Sequence, residues 1–144
     1  MGITLDTDSL RYIAAMEKVS GAEVKDCIVD GGTITYVIKQ GQMGVAIGKG
    51  GVNVKRLTTA LGKKVHIVEL NSDPLKFISN LAGSVKLRNM EMKEITSAGQ
   101  TTRKLFVETD QKDRGTLVGK GGKNIEMIKS LLKRHHEIED VVVR

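Results

Sequence analysis

The pentapeptide Ile47-Gly48-Lys49-Gly50-Gly51 recurs 71 residues later as Val118-Gly119-Lys120-Gly121-Gly122. Each copy joins a branched apolar residue to three glycines and a lysine, and a basic segment follows each at once. Glycine has no Cβ, so its backbone approaches another molecule closely and tolerates positive φ. Amides at the start of a helix attract anions, and the lysine adds a full charge. Each copy therefore predicts a loop that binds phosphate groups.

The basic residues of the chain are concentrated around these two loops. The 144-residue chain has a net charge of +6, but residues 48–64 alone carry +5 and residues 119–135 carry +4. The rest of the chain is therefore at −3. A positive charge gathered on two short segments indicates a polyanionic partner.

Several classes of protein are disfavoured by the composition. The single cysteine, Cys27, excludes an internal disulfide and a multi-cysteine metal site. His135 and His136 are adjacent and point in different directions on a helix, and no two carboxylates form a convergent pair, so we predict no metal site, no cofactor and no enzymatic activity. No apolar run approaches the roughly 20 residues of a membrane span, so we expect a cytoplasmic protein without a membrane partner.

The hydrophobic pattern repeats in the same order in the two halves. It predicts helices at 8–20, 41–47, 52–61, 75–82, 112–118 and 123–135, and strands at 23–30, 33–40, 65–70, 85–95, 102–109 and 138–143. The apolar phase of the fourth strand shifts near Arg88-Asn89, which indicates a β-bulge. Asp73-Pro74 is a strong helix-start signal. We therefore predict two domains, residues 1–71 and 72–144, with almost no linker.

The GxxG loop between two helices, with a strand on either side of the pair, resembles a KH domain. Because a further helix and strand precede that core, the resemblance is to the type II arrangement. Two such domains in tandem are similar to the KH region of NusA transcription factors, and a chain of this length is similar to the short archaeal NusA-like proteins. The resemblance implies an α/β (α+β) fold of two type II KH domains, each a three-stranded sheet with helices on one face.

The resemblance also implies a ligand and a set of contact residues. KH loops clamp about four nucleotides of single-stranded RNA each. We expect RNA contacts from the residues of the two loops and their basic helices: Ile47, Gly48, Lys49, Gly50, Gly51, Lys55, Arg56, Val118, Gly119, Lys120, Gly121, Gly122, Lys123 and Lys129. Val52 and Ile125 are expected at the floor of the adjoining groove. The two loops are expected to bind with unequal strength.

The family role implied is that of a monomeric transcription elongation or termination factor, with RNA polymerase or its complexes as a possible second partner. Three alternative interpretations stay open. In the first, the chain is an RNA chaperone or a ribosome-assembly factor; in the second, it is a KH-based scaffold that binds proteins. In the third, the two glycine loops are only tight corners between helices. A Walker A loop is disfavoured, because it needs Ser or Thr after Gly-Lys and glycine stands there in both copies.

Overall fold

The computed structural model describes residues 6–144. They form two compact units, of which the first ends at Asn71 and the second runs from Ser72 to Arg144. The first unit contains α1 (Thr7–Ser20), β1 (Val24–Asp30), β2 (Thr33–Ile38), α2 (Met43–Ile47), α3 (Val52–Leu61) and β3 (Lys64–Glu69). The second contains α4 (Pro74–Ala82), β4 (Leu87–Ser97), β5 (Gln100–Thr109), α5 (Gln111–Val118), α6 (Lys123–His136) and β6 (Asp140–Val143).

Each unit has one three-stranded sheet, and the two sheets share a topology. The strand orders are β1-β2-β3 and β4-β5-β6. In each sheet the first pair is antiparallel and the second is parallel. A parallel pair needs a crossover connection, and here the crossover is the pair of helices that holds the glycine loop. The predicted α/β class, with two similar sheets packed by helices, is confirmed.

The core of the first unit is centred on β2. Ile34, Tyr36 and Ile38 alternate along the strand onto one face and are fully buried. Met16 of α1 and Leu57 of α3 pack against them. Leu57 thereby fixes α3, the helix that follows the first loop, to the sheet.

The buried face of α1 agrees in part with its apolar pattern. That pattern places Leu10, Ile13 and Ala14 on one helical face, with Tyr12, Met16 and Val19 beside it. Met16 is in the core and Tyr12, Ile13 and Val19 pack against it, whereas Leu10 is 53% exposed and Ala14 is exposed. The row that contains a tyrosine and a methionine removes more apolar surface from water than the row of Leu10 and Ala14, so the helix is rotated toward it.

The second unit confirms several local predictions. Ile128, Leu131 and Leu132, which recur at helical spacing in α6, are buried. The register of β4 against β5 shifts between Leu87 and Asn89, where the apolar phase indicated a bulge. Asp73 caps α4 by accepting a hydrogen bond from the amide of Leu75 at 2.9 Å, and Pro74 occupies the first turn.

The β4–β5 hairpin is longer than its counterpart. β4 and β5 have 11 and 10 residues, whereas β1 and β2 have 7 and 6. The connecting residues Ala98 and Gly99 both have positive φ, 51° and 77°, which is the type I′ geometry that suits the twist of paired strands. Because β6 pairs only with residues 104–107 of β5, the end of the hairpin extends beyond the third strand.

We predict that Tyr36→Phe lowers the free energy of unfolding by about 1 kcal/mol. The Tyr36 hydroxyl donates a hydrogen bond to the carbonyl of Tyr12 at 2.7 Å, and burial raises the pKa of the phenol, so the donor stays protonated. The measurement is urea unfolding. Tyr12→Phe is the control, because it leaves the accepting carbonyl in place. An equal loss in both variants would contradict this role for the hydrogen bond.

Candidate nucleic-acid interface

The two glycine loops have nearly the same backbone conformation. Gly48 has φ 78° and ψ 167°, and Gly119 has φ 78° and ψ 168°. The third position repeats as well, with φ 65° at Gly50 and 66° at Gly121. Every glycine of both loops has positive φ. The repeated sequence therefore encodes a repeated loop shape.

The first glycine of each loop is required by a close contact. A Cβ at Gly48 would lie 2.7 Å from Nδ2 of Asn53, and one at Gly119 would lie 2.7 Å from Cβ of Asn124. At Gly50 and Gly121 a Cβ would meet no atom within 4 Å. The first glycine thus permits helix packing, whereas the later glycines serve the left-handed backbone and leave the outer surface of the loop open.

Asn53 and Asn124 hold the helix corners together. Nδ2 of Asn53 donates to the carbonyl of Val45 at 3.1 Å, and Nδ2 of Asn124 donates to the carbonyl of Leu117 at 2.7 Å. Each bond joins the start of the basic helix to the end of the short helix before it. Neither asparagine was among the predicted functional residues. The available signal was the recurrence of asparagine at the same distance after both loops.

The loops leave helix amides without side-chain partners. Each loop closes with backbone bonds. The Gly51 amide donates to the Gly48 carbonyl at 3.1 Å and the Gly122 amide to the Gly119 carbonyl at 3.0 Å. The Val52 and Lys123 amides donate to the carbonyls of Lys49 and Lys120. No side chain caps the start of α3 or α6. The first amides of a helix lack an intrahelical acceptor and carry partial positive charge, so both corners are suited to an anion.

Five of the predicted contact cations are exposed, namely Lys49, Lys55, Arg56, Lys120 and Lys123. In the part of the chain that the structure describes, none of the five has a carboxylate within 4 Å. Lys49 and Lys120 lie inside the loops, next to the helix amides. Each glycine loop therefore combines a lysine that has no carboxylate partner with main-chain amides that no side chain caps.

Comparisons with known proteins agree with this geometry. A family model for the KH domain matches residues 10–94, more than half of the chain. The chain belongs to the KH-domain family. The match covers the elements of the first unit and the start of the second, and the second unit repeats the element order and strand topology of the first.

Archaeal relatives place the chain among NusA-like KH proteins. It is 33% identical over 98% of its length to a protein of Methanocaldococcus jannaschii, of which it covers 75%, and 32% identical to one of Halococcus morrhuae, with 98% of each chain covered. Both are named "Probable transcription termination protein NusA". A solved structure, that of APE1850, has a TM-score of 0.76 and 31% identity, covering 97% of this chain and all of that one. KH proteins of this kind are RNA-binding factors rather than enzymes.

Lys129 lies in a different environment from the other cations of this KH protein. Its Nζ is 3.3 Å from Oδ1 of Asp140 and 4.0 Å from Oε1 of Glu126, and its side chain is 33% exposed. The first contact joins α6 to β6. Lys129 therefore has its charge largely compensated within the second unit, and its contact with RNA stays a prediction. Lys63 likewise donates to the carbonyl of Gly31 at 3.0 Å, at the β1–β2 turn.

Apolar side chains lie beside the loops in unequal numbers. Ile47 and Val118 are half-buried, while Val45 and Val52 of the first unit are 53% and 38% exposed. Val52 lines an open depression of about 370 Å³ together with Lys55, Arg56, Thr59 and Ala60. Ile125, which we expected at a groove floor, lies instead in the core at 8% exposure, because its helix position faces the sheet.

His135 and His136, which were considered as metal ligands in the sequence, pack against an aromatic side chain. His135 and His136 contact the ring of Phe77, with centroids 5.9 and 5.6 Å apart. Between residues 6 and 144 no three His, Cys, Asp or Glu side chains are grouped to hold a metal ion. Over the same range no helix has the length and apolar character that crossing a membrane requires.

We predict that Gly48→Ala destabilises the protein more than Gly50→Ala. Alanine at position 48 meets Asn53 and adopts a backbone region that is almost restricted to glycine, at a cost of about 1–3 kcal/mol. At position 50 the added Cβ has no atom within 4 Å, so the loss in unfolding free energy comes only from the left-handed φ and is about 1 kcal/mol. Urea unfolding measures both losses.

The second loop supplies a matched pair for this ranking. Gly119→Ala and Gly121→Ala are expected to follow the same order, because the angles repeat those of the first loop and a Cβ at Gly119 would lie 2.7 Å from Cβ and 2.9 Å from the backbone N of Asn124. A larger loss at Gly50 or Gly121 than at the first glycine of the same loop would contradict the assignment of the first glycine to helix packing.

Proposed function

We propose that the chain consists of two KH domains, residues 1–71 and 72–144, which bind single-stranded RNA through phosphate contacts at both GxxG loops and act on nascent transcripts in elongation or termination. One observation carries the RNA-binding part of the proposal. The same open loop occurs twice, with an exposed, uncompensated lysine beside uncapped helix amides. The role in transcription is supported by the names of the archaeal relatives.

At each loop the ligand contact is made mainly by main chain. The glycines at 48, 50 and 51, and those at 119, 121 and 122, allow the sugar-phosphate backbone to approach without a Cβ in the way. Lys49 and Lys120 pair with phosphates there. About four nucleotides per domain give a ligand of roughly eight or more nucleotides in total.

Residues around each loop extend the proposed contact surface. Ile47 and Val118 offer apolar contact beside the phosphates. Lys55 and Arg56 continue the positive charge along α3, as Lys123 does at the start of α6. Lys129 is the weakest member of the set, because Asp140 already neutralises it.

The two loops are proposed to differ in strength. Within the described part of the chain, the cations after the loop on α3 have no carboxylate within 4 Å, whereas α6 carries Glu126 beside Lys129. We therefore assign the stronger phosphate contact to the first loop. Two sites on one chain raise the effective concentration of the second once the first is occupied, so a weaker second loop still contributes to the affinity for a long RNA.

We predict that Lys49→Asp combined with Lys120→Asp lowers the affinity for a single-stranded RNA by at least about tenfold, since each substitution replaces a phosphate contact by repulsion. The control is Lys18→Asp with Lys76→Asp, at exposed positions on α1 and α4. Both double variants lower the net charge from +6 to +2, so they separate a local contact from a general charge effect. Fluorescence anisotropy against salt concentration is the measurement.

The salt response gives this test a second readout. The log–log slope changes by about 0.7 for each single-strand phosphate contact that is lost. The loop variant should therefore have a shallower slope than the wild type by about 1.4, while the control keeps most of its slope. A folded loop variant with wild-type affinity and slope would refute the loop mechanism. Crosslinking with sequencing of the bound RNA tests the transcription role, which recovery of ribosomal RNA alone would refute.

We predict that Lys123→Gln weakens RNA binding more than Lys129→Gln. The charge of Lys123 is free, whereas that of Lys129 is shared with Asp140 and Glu126. Conversely, Lys129→Gln is expected to lower the free energy of unfolding by up to about 1 kcal/mol, and Lys123→Gln by less than about 0.5 kcal/mol. Fluorescence anisotropy ranks the two variants by RNA affinity, and urea unfolding ranks them by free energy of unfolding. If Lys129→Gln proves the more damaging to binding, its carboxylate contacts do not hold in solution.

A further inference from the structure

The second sheet has an aromatic ring on the face opposite its core. Leu105 and Val107 of β5 are fully buried, and Phe106 between them is only partly buried. Neighbouring side chains on a strand point to opposite faces, so Phe106 lies away from the helices. The register places Glu91 opposite Phe106 and Lys93 opposite Lys104, on that same face.

Cations surround this ring. Nζ of Lys93 is 5.0 Å from the ring centroid, and Cζ of Arg144 is 4.5 Å from it. Both distances are within the range of cation–π attraction. Lys104 follows on the same strand face, two residues from Phe106. Lys93, Lys104, Phe106 and Arg144 are named here the Phe106 platform.

The charge of the Phe106 platform is uncompensated. Lys93 and Lys104 are directly opposite across β4 and β5, and like charges in that position repel. Among residues 6–144 neither lysine, nor Arg144, has a carboxylate within 4 Å. Asp140, the register partner of Lys104 on β6, is already bound to Lys129 at 3.3 Å. Two carboxylates, Glu91 opposite the ring and Glu108 two residues along β5, share this face with the three cations, and within residues 6–144 neither lies within 4 Å of a cation. An anion at this face would relieve the repulsion.

The combination of ring and cations selects the kind of anion. Aromatic rings and arginine planes stack nucleobases, and ammonium groups bind phosphates. An acidic peptide would pair with the lysines but would supply no flat ring to stack on Phe106 or Arg144. The platform is also restricted to the second unit, because the position equivalent to Phe106 in the repeat is Thr35, which is buried.

We propose that the Phe106 platform is a further binding site for single-stranded RNA, which stacks a base on Phe106 or Arg144 and places phosphates on Lys93 and Lys104. The site contains none of the residues of the two GxxG loops. It shares with the proposed function only the class of ligand. The proposal makes this face of the second sheet an RNA contact that is separate from the two loops.

The chain offers a direct optical test, because it contains no tryptophan. Phe106→Trp puts a single indole on the platform, and a base stacked on it quenches its fluorescence. The probe is oligoadenylate RNA of about 20 nucleotides, longer than two loops occupy. We expect a saturable quench that parallels the anisotropy titration. Leu10→Trp, at a position 53% exposed on α1, is the control and should not be quenched.

The outcomes separate the platform from the loops. RNA binding by the Phe106→Trp chain without a quench would overturn the platform and leave the loop mechanism standing. A quench that persists at higher RNA concentration in the Lys49→Asp and Lys120→Asp background would support the platform independently of the loops. An equal quench by polyglutamate would overturn it, since that result would make the face a site for acidic protein segments.

Affinity measurements give a test that needs no new aromatic residue. Phe106→Leu keeps an apolar side chain but removes the stacking surface, and should weaken binding of the same RNA about tenfold. Lys93→Gln should also weaken it, while its unfolding midpoint stays unchanged, because relief of the repulsion offsets the lost cation–π contact. Lys76→Gln is the charge-matched control. Wild-type affinity in folded Phe106→Leu and Lys93→Gln would overturn the proposal.

Discussion

The close approach of Gly48 to Asn53, repeated at Gly119 and Asn124, is the constraint on which each loop depends. The asparagine side chain occupies the space that a Cβ would fill, and from there it reaches a carbonyl of the preceding helix. The angle between the two helices, and hence the direction of the helix amides, follows from this contact. Any larger residue at the first loop position would separate the helices and reorient the amides.

The corner is fixed because the helices beyond it are anchored in cores. Leu57 is 1% exposed in α3, and Ile128 is fully buried in α6. The loop between anchored helices can therefore remain open and polar without losing its shape. Binding a phosphate there orders few additional groups, which reduces the entropic cost of association. Glycine at the later positions contributes to this, since each adopts its left-handed angle without strain.

Much of this arrangement could be predicted from local sequence, and the exceptions share a cause. The helix Val52–Leu61 and the bulge near Asn89 follow from apolar periodicity, and the loops follow from glycine chemistry. The compensation of Lys129 could not be predicted, because its partner Asp140 belongs to a strand whose position relative to α6 is a tertiary property. The rotation of α1 depends likewise on which row of side chains the sheet accepts.

The Phe106 platform could not be predicted from the sequence either, because it also depends on tertiary structure. A chain with two phenylalanines gives no aromatic pattern. Phe106 lies on the face opposite the core because Leu105 and Val107 are the residues that the helices cover. Which cations lie near it depends on the register, which runs without a break from the turn at Ala98-Gly99 to the pair Asn89 and Glu108. A change of one residue in that register would separate Lys93 from the ring.

If the loops bind RNA as proposed, discrimination between RNA sequences must arise beside the loops rather than in them. Phosphate contacts position a nucleic acid but carry no direct sequence information, and the two loops are too similar in shape to differ in what they accept. The residues around them do differ. Val45, 53% exposed, corresponds to Thr116, and Val52 corresponds to Lys123. An apolar surface beside the first loop and a polar, charged one beside the second present different contacts to a base. The loop shape is therefore the same in the two units while the neighbouring positions differ, so the two proposed sites share a ligand class but present different contacts to a base.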